Sequence, residues 1–280
     1  MTGDEPSLDP ADWGELRALG HRMLDDMLDY LDQARERPVW QRLPDSGRAE
    51  LRTPLPRAPG DAMAAYEEFR RLVLPYATGN VHPGFMGWVH GGGNAVGMLA
   101  ELLAGGLNAN LGGRDHAPIE VERQVIRWAA EMLGLPPETS GLLVTGTSIA
   151  NLIGVLVART AALGGDVRRT GVSGARLVAY ASAAAHGCVP RAMDMAGLGT
   201  DALRLVPCDA AHRMDVAALA AAVEWDRRDG LHPFLVVGTA GSVDVGAVDD
   251  LAAIARLSHA EGLWFQVYAA FGAFAATSPA

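Results

Sequence analysis

Leu142-Leu143-Val144-Thr145-Gly146-Thr147-Ser148-Ile149-Ala150-Asn151-Leu152 reads as an apolar strand, a small polar turn and the start of a helix. The pattern predicts a short buried strand over 142–145 and a helix over 149–159. Backbone N–H groups and the hydroxyls of Thr147 and Ser148 at a helix N-terminus form an anion site, so the turn suits a phosphate group. The same residues equally suit a plain helix start capped by Thr147 or Ser148. The turn is not a Walker loop, because GxxxxGK[ST] requires a lysine. The sequence has none: all 23 residues counted as Lys+Arg are arginine.

On the C-terminal side of this segment the chain alternates. Strands are predicted at 176–180, 203–206, 234–237 and 263–267, and helices at 189–196, 216–225 and 250–260. Regular alternation implies an α/β fold, a mostly parallel sheet with helices on both faces. Ligands of such sheets bind beyond the carboxyl ends of the strands. The residues to inspect are therefore 146–148, 182–186, 239–242 and 268–270. His186 sits where a histidine can stack on a planar ligand or serve as a loop residue. Thr239 lies in GTAGSVDVG, whose small residues allow a ligand near the backbone or simply make a tight turn.

On the N-terminal side, Leu16, Leu19, Met23, Leu24, Met27, Leu28 and Leu31 mark an amphipathic helix over 14–36, closed by Pro38. Five prolines between 38 and 60 predict an extended connector. Helices follow at 61–74, 94–104 and 118–133, with the Gly-rich HPGFMGWVHGGG at 82–93 between the first two. Two regions are expected: a helical arm and connector over 1–80, and a larger, incomplete α/β domain over 81–280.

Composition narrows the function. With 49% apolar residues, 20% charged residues and a net charge of −10, a large core is affordable and nucleic acid is excluded as the main partner. The polar, acidic N-terminus has no signal-peptide pattern, and the most apolar window, 95–107, is too short to span a bilayer and carries Glu101. No membrane partner is expected. Two cysteines, Cys188 and Cys208, read as reduced thiols of a cytoplasmic protein. His82, His90, His116 and His186 lack metal-ligand spacing, so no metal is expected.

Together the RPVW exit of the first helix, HPGFMGWV, EMLGLP, TGTSIANL, AHGCVPRA and TAGSVDVGAVDD resemble the group II pyridoxal-phosphate-dependent decarboxylases, the family of aromatic-amino-acid and glutamate decarboxylases. The resemblance implies an aspartate-aminotransferase-like (type I) large domain, preceded by a helical arm that packs on a second subunit of a homodimer. It implies pyridoxal 5′-phosphate as cofactor and an amino acid as substrate. Thr147 and Ser148 match the phosphate turn, His186 the residue stacked on the pyridine ring, Thr239 a neighbour of the cofactor, and Ala270 the small residue under the other ring face. Trp88 and His90 match the substrate pocket.

Two departures follow from the same comparison. Gln266 stands where the family has a histidine. Tyr268 stands where it has an aspartate that pairs with the protonated pyridine nitrogen and keeps the ring an electron sink. The lysine that family members join to the cofactor has no counterpart, and arginine cannot replace it as a nucleophile. The expectation is a truncated carboxy-lyase that is inactive as this chain, with the cofactor held non-covalently at best. Two other readings remain. One is a non-catalytic binding or dimerisation module, pairing with itself or with a full-length homologue. The other is an α/β-hydrolase with His90-Gly91-Gly92-Gly93 as oxyanion motif and Ser148, Asp244 and His259 as triad.

Overall fold

A computed structural model describes residues 9–87, 89–112 and 115–278. The chain forms two compact units, Met1–Asn110 and Leu111–Ala280.

In the first unit, the Asp12 carboxylate accepts the N–H groups of Gly14 and Glu15 and so starts α1, Trp13–Asp32. A 3-10 turn, Gln33–Glu36, ends it. The proline-rich stretch is not wholly extended, because it holds a short helix, α2, Asp45–Glu50. Proline is tolerated at a helix start, and Pro44 stands just before the first turn with no further proline until Pro54. Asp61 caps α3, Ala62–Leu72, and Asn94 caps α4, Ala95–Leu107. Helices α1 and α3 are joined by the Tyr66 hydroxyl, which donates to Asp26 at 2.7 Å. Arg70 also pairs with Asp26 at 3.1 Å.

The second unit begins with α5, Ala117–Met132, which carries proline in its first turn and ends before the left-handed Gly134. Helix α6, Thr147–Leu163, and the short α7, Val167–Thr170, precede the first strand, β1, Leu177–Ser182. Then follow α8, Cys188–Met195; β2, Leu203–Val206; α9, Val216–Arg228; β3, His232–Thr239; α10, Leu251–Ala260; and β4, Trp264–Tyr268. The strands pair in parallel in the order β2-β1-β3-β4. β1 is buried along its whole length and β3 from Pro233 onward, which explains their continuous apolar runs.

Strand alternation divides the core into two layers. Ala179, Ala181, Leu235 and Val237 pack with Val155 of α6 and Val189 and Met193 of α8. Val178, Tyr180 and Val236 pack with Leu219 and Val223 of α9 and Ile254 of α10. Each fully buried Val or Leu contributes about 1.5–3 kcal/mol. Within the second layer the Tyr180 hydroxyl donates to Asp226 at 2.8 Å, and the Arg204 guanidinium grips both oxygens of that carboxylate at 3.1–3.2 Å. Burial, together with the neighbouring carboxylate, pushes the Tyr180 phenol well above its ordinary range.

The strand expected at 142–145 does not form. Leu142 and Leu143 are 66% and 60% exposed, and the Leu143 N–H is held by the Glu122 carboxylate at 3.3 Å. A strand needs a neighbour to pair with, and among the described residues none lies beside 142–145. The outer edge of β4 is likewise unpaired within this sheet. No helix among the described residues is long and apolar enough to cross a membrane. Among them, too, no group of three or more His, Cys, Asp or Glu is arranged to hold a metal ion.

Asp226→Ala leaves a buried tyrosine hydroxyl unpaired and removes the Arg204 bridge. It is expected to lower the unfolding free energy by about 2–4 kcal/mol in urea denaturation. The exposed Glu224→Ala should stay within about 0.5 kcal/mol of the parent.

Candidate functional site

The carboxyl ends of the parallel strands and the N-terminus of α6 carry most of the sequence-predicted site. The N-cap of α6 is Gly146, in a left-handed conformation at φ +113°, and no side chain caps the helix. Neither Thr147 nor Ser148 takes the capping role open to it from the sequence. Both lie within the first turn, where backbone N–H groups have no intrahelical acceptor. Thr147 is half-buried and Ser148 exposed, so the positive end of the helix is open to solvent.

Asn151, one turn further on, is buried and fully engaged. Its amide donates to the Thr147 carbonyl at 2.9 Å and to Cys188 Sγ at 3.4 Å, and its Oδ1 accepts Gln266 Nε2 at 2.6 Å. Gln266 thus reaches from β4 to the turn that opens α6. Gly154 leaves room for the contact, since a Cβ there would lie 2.2 Å from Gln266 Oε1 and push the amide aside.

Thr239 ends β3 and is buried. Its N–H donates to Asp249 Oδ2 at 2.8 Å, while Asp249 Oδ1 accepts the Met214 N–H at 2.7 Å. The Thr239 hydroxyl is buried without a partner, as is Gln266 Oε1. An unmatched buried polar atom costs desolvation free energy in the protein alone. Beside Thr239, the Ala240 N–H donates to the Tyr268 carbonyl at 2.8 Å. The 269–272 turn packs closely there: a Cβ on Gly272 would lie 2.2 Å from the Ala240 carbonyl oxygen. Ala270 is exposed in this turn.

His186 precedes α8 and is exposed; its Nδ1 accepts the Cys188 N–H at 3.2 Å. Its ring lies parallel to that of Tyr268, with centroids 6.1 Å apart and planes at 13°. Tyr268 is 6% exposed and belongs to the core layer that includes Ala181, Cys188, Val189 and Val237. Burial, with Cys188 adding a smaller effect, pushes its phenol above the ordinary tyrosine range. Burial also pushes the Cys188 thiol up. Both groups are therefore neutral near pH 7, and neither offers charge to a ligand.

Thr147, Ser148, His186, Thr239, Tyr268 and Ala270 all belong to the second unit. His90 belongs to the first, where its ring stacks with Phe85 at 5.6 Å. Trp88 lies outside the described residues. The hydrolase triad is not assembled: Ser148 opens α6 in one layer, and His259 closes α10 in the layer on the opposite face of the sheet. Asn151 and Asp249 were not singled out from the sequence. Each carried a signal, Asn151 as a polar residue one turn after Thr147 on an apolar helix, Asp249 as the first of two aspartates of which the second caps α10.

The pyridoxal-dependent decarboxylase conserved domain matches residues 44–280. The chain belongs to this family. An aromatic-L-amino-acid decarboxylase of Bacillus atrophaeus is 32% identical over 92% of this chain and 53% of its own length. Tryptophan decarboxylase 2 of Oryza sativa subsp. japonica is 29% identical over 99% of this chain and 57% of its own. The crystal structure of Oryza sativa TDC with PLP and tryptamine superposes with a TM-score of 0.87 at 27% identity, over 98% of this chain and 58% of that one. The chain therefore spans about half the length of the curated relatives it matches.

Pyridoxal 5′-phosphate is the cofactor of this decarboxylase family, and the two ends of the site meet it differently. The phosphate end fits: an uncapped helix N-terminus presents two hydroxyls, and an unpartnered threonine hydroxyl ends a strand of the same sheet. The ring end does not. Position 268 holds a neutral phenol, and its ring already lies parallel to that of His186.

Thr239→Val removes the orphaned hydroxyl at nearly constant volume. It is expected to raise the unfolding free energy by about 1 kcal/mol, whereas Asp249→Ala strands two buried N–H groups and lowers it by about 2–4 kcal/mol. Thermal and urea unfolding of the two variants check both signs.

Proposed function

We propose that these 280 residues form the cofactor-phosphate half of an amino-acid carboxy-lyase whose substrates are aromatic amino acids. The observation that carries this reading is the open N-terminus of α6, with Thr147 and Ser148 in its first turn, at the carboxyl side of the parallel sheet. Family membership supports the reaction class. Aromatic-amino-acid and tryptophan decarboxylases among the relatives support the substrate class.

In this reading Thr147 and Ser148 bind a phosphate dianion through hydroxyl and backbone N–H donors, aided by the helix dipole. Asn151 and Gln266 hold that turn against the sheet, and Asp249 fixes the backbone of Thr239. These residues provide no amine to anchor the cofactor covalently, because none of the 280 is lysine. On their own they are proposed to bind phosphate-bearing ligands and not to decarboxylate. Residues 1–80 are proposed as the arm of a homodimer, with pairing to a full-length homologue as the alternative, and 81–280 as part of the large domain. Two free cysteines agree with a cytoplasmic setting.

Purified and mixed with pyridoxal 5′-phosphate, the 280-residue chain is expected to release no CO₂ from L-tryptophan, L-tyrosine or L-glutamate. Cofactor-dependent release would overturn the proposal. Thr147→Ala combined with Ser148→Ala should weaken binding of inorganic phosphate by about tenfold in titration calorimetry. In a polypeptide that also carries the lysine, with Tyr268→Asp, CO₂ should come from aromatic amino acids. Turnover confined to glutamate or 2,4-diaminobutyrate would refute the substrate class.

A further inference from the structure

We infer that Tyr268 fills the ring half of the cofactor site with its own side chain, so that this chain holds pyridoxal 5′-phosphate by the phosphate alone. The inference rests on the reading of α6 as the phosphate turn. It goes beyond that reading by assigning Tyr268 as the residue that excludes the ring.

The geometry is steric. A flat ring sandwiched between two others needs a van der Waals layer on each face, roughly 3.5 Å twice, or ~7 Å between the outer rings. The His186 and Tyr268 centroids are 6.1 Å apart with planes inclined by only 13°. A ligand ring lying between His186 and Tyr268 must therefore move one of them apart from the other. Movement of Tyr268 is opposed by the core, since Tyr268 is 6% exposed and packs with Ala181, Cys188 and Val237. Its chain position is fixed as well, because the Tyr268 carbonyl accepts the Ala240 N–H at 2.8 Å and Gly272 abuts the Ala240 carbonyl. The phosphate turn has no such obstruction: Ser148 is exposed and Gly146 brings no side chain.

Charge gives the same answer. A pyridinium nitrogen is held by a carboxylate, and a neutral phenol offers it none. Among the described residues the Tyr268 hydroxyl makes no hydrogen bond that a ligand nitrogen could inherit without moving the ring. The tyrosine is thus a plug, in contact with the histidine that the ring would use.

The test compares inorganic phosphate, pyridoxal 5′-phosphate and phosphate-free pyridoxal, titrated by calorimetry against the parent chain, Tyr268→Phe, Tyr268→Ala and Tyr268→Val. The parent and Tyr268→Phe should bind phosphate and pyridoxal 5′-phosphate within about threefold of each other and should not bind pyridoxal. Opening the ring space in Tyr268→Ala or Tyr268→Val should strengthen pyridoxal 5′-phosphate binding by about tenfold or more and leave inorganic phosphate unchanged. Circular dichroism verifies that each variant is folded. If neither small-residue variant folds, the ratio measured on the parent and Tyr268→Phe decides by itself. A parent chain that prefers pyridoxal 5′-phosphate over phosphate by more than about tenfold overturns the plug and leaves the phosphate site standing. Absence of phosphate binding in every protein overturns the phosphate site and the plug together.

Discussion

The hydrogen bond from Gln266 Nε2 to Asn151 Oδ1, at 2.6 Å, ties the edge strand to the helix whose first turn is the proposed phosphate site. Through the Asn151 amide the link continues to the Thr147 carbonyl and to Cys188 Sγ at the start of α8. One polar node therefore sets β4, α6 and α8 relative to one another inside an otherwise apolar layer. The buried Asn151 amide is paired on both of its ends, and Gly154 leaves the room in which Gln266 reaches it. The open end of α6 faces outward because its interior side is already fastened to the sheet.

The same economy governs the strand ends. Asp249 spends both carboxylate oxygens on backbone N–H groups, of Thr239 and of Met214, and so closes the end of β3 with side-chain rather than ladder hydrogen bonds. That leaves the Thr239 hydroxyl as a buried polar atom with nothing of the protein's own to satisfy it. Close backbone approach at Gly241 and Gly272 brings the turn after β4 against the turn after β3. Small residues and backbone groups, rather than charged side chains, build this part of the site, in keeping with a ligand that brings its own charge to a helix N-terminus.

Much of this was legible in the sequence. Strands β1 to β4 and their covering helices follow from apolar runs alternating with 3.6-residue periodicity, and their ends fall within a few residues of the expected ones. The segment 142–145 misled because an apolar run specifies burial, while a strand also requires a partner that no described residue provides. Helix α2 was hidden by the density of prolines around it, although Pro44 itself sits where a helix can begin. The turn at 146–148 was read as either a capped helix start or a phosphate site. What decided between capping and an open N-terminus was the left-handed Gly146, which takes the cap position and leaves both hydroxyls unused. The meeting of Tyr268 with His186 was not legible, since it depends on how β4 and the start of α8 pack across the layer.

Burial accounts for a neutral residue at position 268. A carboxylate at position 268 would be almost fully buried, and a buried anion is tolerable only beside a compensating cation. The layer in which Tyr268 sits is built of apolar side chains. A neutral, bulky tyrosine avoids that penalty and fills the layer shared with α6 and α8. The first-turn donors of α6, by contrast, lie at the solvent and stay solvated whether or not an anion is bound.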